Sequence, residues 1–216
     1  MYILLIAATG NEIQGATDYF KKKLDAAKNR EIEILLTGIG SVSTTYFLTR
    51  KIQGRRPDLI IQAGIAGSFG AKKLAELVIV KEDSFADMGA IQDGQFRDIF
   101  DLRLADKDAL PFCNGLLINP HENLLSLSLL DQVKAVSVNE ITTDKTRRDF
   151  YKQKYSPVVE SMEGAAFHYV CLLETIPFLQ IRAVSNYIGE RDKTKWKIRE
   201  AVQALNEKLI GLINSL

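Results

Sequence analysis

Apolar residues fall along this chain in two alternating rhythms: short, nearly continuous runs of strand length, and longer stretches where they recur every three or four positions. The runs at 2–8, 32–36, 58–63, 77–81, 116–119, 133–138, 158–160 and 178–184 predict strands. Helical spacing predicts helices over 12–28, 41–53, a charged stretch after Thr142, 162–173 and 193–216, with Pro177 ending the fourth. Residues 83–120 are polar and interrupted, and several short strands are expected there. Strands that are apolar at nearly every position are covered on both faces. The pattern therefore predicts an α/β chain with a mostly parallel or mixed sheet between layers of helices.

In such sheets ligands bind beyond the carboxyl ends of the strands. Those ends read Thr9-Gly10-Asn11-Glu12, Thr37-Gly38-Ile39-Gly40, Gly64-Ile65-Ala66-Gly67, Val138-Asn139-Glu140, Glu160-Ser161-Met162-Glu163 and Ser185-Asn186. Two of them are glycine-rich, which raises a dinucleotide reading. The first lacks the third glycine, and the next strand ends in Gln62-Ala63-Gly64 where a ribose-binding acid is required. The second has Ala66 at the close-approach position and no long helix after it. These glycines are read instead as letting backbone amides approach a small ligand.

Three polar side chains stand out at these ends, each with two readings. Glu163 opens an otherwise apolar helix, as an acid favoured by the helix dipole or as a carboxylate facing a cavity cleared by Gly164-Ala165-Ala166, where it would accept from a vicinal diol. Glu12 has the same two readings in the first helix. Asn186 is a turn-forming amide or a group aimed at a ligand. His168 and Cys171 lie one helical turn apart among apolar residues with no third ligand nearby, so a packed pair is expected and no metal site. Trp196 fits either an exposed anchor or a partly buried staple.

Composition narrows the partners. The 216 residues are 46% hydrophobic with no polar linker, which predicts one domain over 1–216. With 28 basic and 27 acidic side chains the formal charge is +1, so nucleic acid is not expected as a partner. Cys113 and Cys171 form no CxxC pair, and no run approaches the roughly 20 apolar residues of a membrane span. A cytoplasmic protein without membrane contact is expected.

Three strand ends together resemble the purine and uridine phosphorylase family and, within it, the nucleosidases that act on methylthioadenosine and adenosylhomocysteine. The residues are Pro57-Asp58-Leu59-Ile60-Ile61-Gln62-Ala63-Gly64-Ile65-Ala66-Gly67, Val159-Glu160-Ser161-Met162-Glu163-Gly164-Ala165-Ala166 and Arg182-Ala183-Val184-Ser185-Asn186, with Gly38-Ile39-Gly40 also fitting. The resemblance implies a nucleoside phosphorylase-like three-layer sandwich, its twisted mixed sheet partly closed into a barrel, in a homodimer or larger homo-oligomer. It also implies roles: Glu163 on the ribose hydroxyls, Met162 against the sugar, and Glu12 facing the anomeric carbon. Ile65, Ala66, Gly67, Asn139 and Ile141 complete the implied substrate-binding set.

The phosphorylases of this family carry a phosphate-binding arginine after strand one. Here that loop has no basic residue and offers Glu12, so water is the expected nucleophile and neither metal nor cofactor is required. Adenine-cleaving members carry Asp at position 186. An amide cannot release a proton, but its NH2 can donate to O6 of a 6-oxopurine while its carbonyl accepts from a protonated N7. Ile65 stands where the adenine nucleosidases have Ser. The expectation is hydrolysis of a 6-oxopurine nucleoside, with an adenine nucleosidase or a non-catalytic nucleoside-binding module as alternatives.

Overall fold

The structure, a computed structural model, describes residues 1–23 and 30–216. In chain order the elements are β1 (Tyr2–Ala7), α1 (Gly10–Lys23), β2 (Glu31–Leu36), α2 (Ser41–Gly54), β3 (Leu59–Ser68), β4 (Leu77–Asp83), β5 (Gly89–Gln92), β6 (Gln95–Asp98) and β7 (Leu117–Ile118). There follow α3 (Glu122–Leu127), β8 (Asp131–Ser137), α4 (Lys145–Tyr155), β9 (Val159–Ser161), α5 (Gly164–Leu173), β10 (Phe178–Tyr187), a 3₁₀ turn (Lys193–Lys195) and α6 (Ile198–Ser215). The far end of the helix expected over 12–28 lies outside the described residues. The helix expected from 193 is divided, because Trp196 and Lys197 leave helical geometry between the 3₁₀ turn and α6.

The sheet is mixed. β2 and β1 run parallel to β3, while β3, β10, β4, β8 and β9 pair in a closed ring, a five-stranded barrel. β3 makes this possible through its length. Leu59 to Gln62 pair with β1 on one edge, Gly67 and Ser68 pair with β9 farther along that edge, and β10 follows the other edge.

β1 is buried at all six positions, and the period-two alternation of a strand divides its side chains between two cores. Ile3, Leu5 and Ala7 join Leu205 and Leu209 of α6, whereas Leu4 and Ile6 join Leu48 of α2 and Phe167 of α5. Thus α1 and α6 cover one face and α2 and α5 the other.

Two expected strand ends move. The run at 58–63 continues through Gly64-Ile65-Ala66-Gly67, which is strand rather than turn, and the run at 178–184 continues to Tyr187. Ser185 marks a bulge where the register between β10 and β3 shifts by one residue. A bulge re-aims the side chains beside it, which is how Asn186 comes to pair with Gly67 and face inward.

Candidate active site

The carboxyl ends of β1, β3, β9 and β10 meet at a cavity of about 320 Å³, within the range of small-molecule sites. Glu12, Ile65, Ala66, Gly67, Ile141, Met162, Glu163 and Asn186 line it. Asn139 does not. It is exposed, its backbone amide and side chain both bonded to Asp87, so that strand end meets the cavity through Ile141 and Thr142 instead.

Glu12 is almost fully buried in the first turn of α1. One oxygen accepts from the amide and hydroxyl of Thr9 at 3.0 and 3.1 Å, the other from the amide of Ile65 at 3.0 Å. Its placement depends on a fault in α1, where Ile13 departs from helical geometry at φ −124° and ψ 16°. The amide of Ala16 would ordinarily bond the carbonyl of Glu12, four residues earlier. Here the Asn206 side chain is spliced between them: Oδ1 accepts from Ala16 N at 2.7 Å, and Nδ2 donates to Glu12 O at 2.9 Å. The kink therefore has an identifiable cause.

Glu163 sits at the N-cap of α5 without capping it. The free amides of that helix go to serines, Gly164 N to Ser161 Oγ at 3.3 Å and Ala165 N to Ser137 Oγ at 2.7 Å. The Glu163 carboxylate instead reaches across the cavity floor to accept from Gly40 N at 3.0 Å and to face Arg182 Nη1 at 3.6 Å. Gly40 holds φ 90° and ψ 167°, a conformation closed to side-chain-bearing residues, which aims its amide at Glu163.

Arg182 is buried, with Nη2 donating to Gln62 at 2.9 Å. A buried cation without a partner is costly; here it balances Glu163. Gly64 leaves room for this approach, since a Cβ there would stand 2.5 Å from Arg182 Nη1 and 2.8 Å from Glu12 Oε1. Arg182 therefore serves the interior of the site.

Asn186 is half-buried. Ser185 Oγ lies 2.9 Å from its Oδ1, and its Nδ2 donates to Tyr187 O at 3.2 Å. Local bonding and a cavity-facing position coexist.

Several residues outside the implied substrate-binding set also line the cavity. Glu160 is buried with Oε1 accepting from Thr142 N at 3.0 Å and Oε2 unpartnered among the described residues, and burial raises its pKa. Arg191 and Trp196 line the outer part, with Ile198 and Val202. A signal for the polar interior was present: Gln62 and Gly64 on β3 face Gln180 and Arg182 on β10 in register, a period-two polar stripe within apolar strands. His168 packs between Phe167 and Phe178 with Nδ1 3.1 Å from Leu117 O, a core histidine whose pKa burial pushes down to about 3.

A futalosine hydrolase of Acidothermus cellulolyticus is 25% identical over 209 residues, covering 95% of this chain and 84% of the relative. A 5′-methylthioadenosine/S-adenosylhomocysteine nucleosidase of Aeromonas salmonicida is 25% identical over 215 residues, with 94% and 88% covered. Among solved structures, futalosine hydrolase of Helicobacter pylori superposes with TM-score 0.83 at 17% identity, covering 100% of this chain and 98% of that one. The Helicobacter pylori nucleosidase bearing 5′-methylthioadenosine in its active site also gives 0.83 at 17% identity, covering 100% and 99%. The phosphorylase superfamily matches residues 5–216, nearly the whole chain and every element of the cavity, and the protein belongs to that family.

Proposed function

We propose that this chain is an N-glycosidase that hydrolyses futalosine, releasing hypoxanthine and dehypoxanthine futalosine on the futalosine route to menaquinone. The observation that carries the reading is the convergence of Glu12, Glu163 and Asn186 on one cavity whose strand-one loop has no basic residue to hold phosphate. Futalosine hydrolases among the relatives support it.

Water attacks the anomeric carbon and gives a proton to Glu12 as the bond from C1′ to the base breaks, its electron pair leaving with the base. A carboxylate offers about four lone-pair directions; Glu12 uses three on Thr9 and Ile65, leaving one for the water. Glu163 accepts from the ribose hydroxyls and stabilises the cationic sugar. As the base departs, N7 takes a proton from solvent water; Asn186 donates to O6 through Nδ2 and accepts from that N7–H through Oδ1, an orientation favoured by Ser185 Oγ beside Oδ1.

The nucleosidase relatives of similar identity favour one second reading, adenine release from methylthioadenosine. Incubating pure protein with each nucleoside, with and without phosphate, separates them. Hypoxanthine from futalosine at a phosphate-independent rate is expected. Comparable cleavage of methylthioadenosine supports the second reading, and no release from either nucleoside refutes both.

The enzyme acts in the cytoplasm as a homodimer or larger homo-oligomer. Support for the assembly comes from an apolar patch beside the cavity, Ile39 in the loop before α2 and Val42 and Tyr46 on α2, which are 62%, 82% and 57% exposed.

A further inference from the structure

The outer end of the cavity has its own chemistry. Among the described residues four carboxyl side chains line the cavity, Glu12, Glu160, Glu163 and Glu190, and Arg191 is the single basic one. Its sequence neighbour does not neutralise it: Glu190 is paired with Lys195 at 2.8 Å and accepts from Asp192 N at 2.8 Å. Arg191 has no carboxylate partner among the described residues, and its guanidinium carbon lies 5.6 Å from the centre of the Trp196 ring.

That ring is held in turn. Trp196 Nε1 donates to Glu190 O at 3.0 Å, and Lys197 N donates to Ser185 O at 2.8 Å, which ties the segment to the strand beside Asn186. Ile198 and Val202, one turn apart on α6, continue the apolar wall. An aromatic plane, an aliphatic wall and an uncompensated fork of planar donors together suit an aromatic group that carries a carboxylate.

We propose that Arg191, stacked on Trp196, selects substrates whose 5′ group is aromatic and anionic. The inference rests on the reading of the site as a nucleoside hydrolase and assigns the chemistry of its 5′ end. Its charge discriminates against an uncharged 5′ group of the same shape.

Futalosine and its methyl ester differ in that charge and one methyl group, and the change of their preference across variants isolates the charge, so kcat/KM for both, measured with wild-type protein and with R191A, R191K and R191E, tests the assignment. Wild type favours the carboxylate, chiefly through KM. R191A lowers that preference about tenfold, equivalent to ~1.4 kcal/mol; R191K keeps part of it, and R191E favours the ester. A preference unchanged in R191A and R191E overturns the proposal. If wild type hydrolyses neither compound, it is the hydrolase reading that fails. Calorimetric binding of the same pair to wild type and R191E then decides Arg191, equal preference in the two proteins counting against it.

Discussion

The base role proposed for Glu12 rests on three donors that leave its carboxylate one free direction. In Glu12→Gln the amide keeps an acceptor but turns an NH2 toward Thr9 or Ile65, and it cannot take a proton from water. The expected result is a kcat at least about 100-fold lower with hypoxanthine binding retained; hydrolysis at the wild-type rate would show that Glu12 is not the base. Asn186→Asp changes one donor to an acceptor at the position proposed to face O6. Release of hypoxanthine is expected to fall roughly tenfold or more, because the site then leaves an acceptor unpaired. Adenine nucleosides, whose base accepts a proton at N7, should gain. Steady-state rates with paired inosine and adenosine derivatives provide the check, and unchanged hypoxanthine release would return Asn186 to a turn residue.

At the level of elements, the kink of α1 is where fold and chemistry meet. Asn206 satisfies both backbone groups that the kink frees, so Asn206→Leu leaves Ala16 N and Glu12 O unpaired or straightens the helix and moves Glu12. Leaving such groups unpaired costs about 1–3 kcal/mol. Urea unfolding should register that loss, while kcat should fall with little change in KM, since Asn206 touches the backbone beneath Glu12 rather than the cavity. The start of α5 is equally constrained: a Cβ at Gly164 would collide with Asp83 Oδ2 and Gln180 Nε2. Gly164→Ala is expected to destabilise by about 1–3 kcal/mol or more through overpacking, whereas Gly54→Ala, which meets nothing nearby, should not. Equal unfolding midpoints for these two variants would contradict the crowding described.

Over the whole molecule, barrel closure buries a polar network behind Glu163. Asp83 accepts from Ser84 N, Ser137 Oγ and Gln180 Nε2 at 2.8, 3.0 and 3.2 Å, yet burial pushes its pKa up to about 6 from 3.8, against those bonds and the nearby Arg182. Protonated Asp83 is thus favoured in the fold over the unfolded chain. Its contribution is full below pH 3.8 and is lost as pH rises through about 6, a change on the order of 3 kcal/mol. His168 acts the other way, contributing above 6.5 and losing that contribution as pH falls toward about 3. The difference in unfolding free energy between wild type and Asp83→Asn isolates the first group: wild type should lose ground steadily between pH 4 and 6.5. Parallel curves would rule the effect out.

Much of the layout was legible in local pattern. β1 was readable because a strand covered on both faces is apolar at every position, and α6 because Ala201, Leu205, Leu209 and Leu212 repeat at helical spacing. The candidate acids and the amide were legible as polar residues placed where apolar runs stop. The true ends of β3 and β10 were not, since they continue only because each supplies the other's hydrogen bonds, from Phe178 against Ile60 to Tyr187 against Ser68. Asn139 was placed by its strand end and the family resemblance, and Asp87, far away in sequence, holds it outside the cavity.

The sequence by itself determined the periodicities, the absence of a basic residue after strand one, and the identity of Glu12, Glu163 and Asn186. Only the tertiary structure decided what surrounds them. Glu163 finds Gly40 across 123 residues, and Asn206 reaches Ala16 across 190. Such bonds leave no local signature, because they depend on barrel closure and helix packing to bring together groups that periodicity treats as independent.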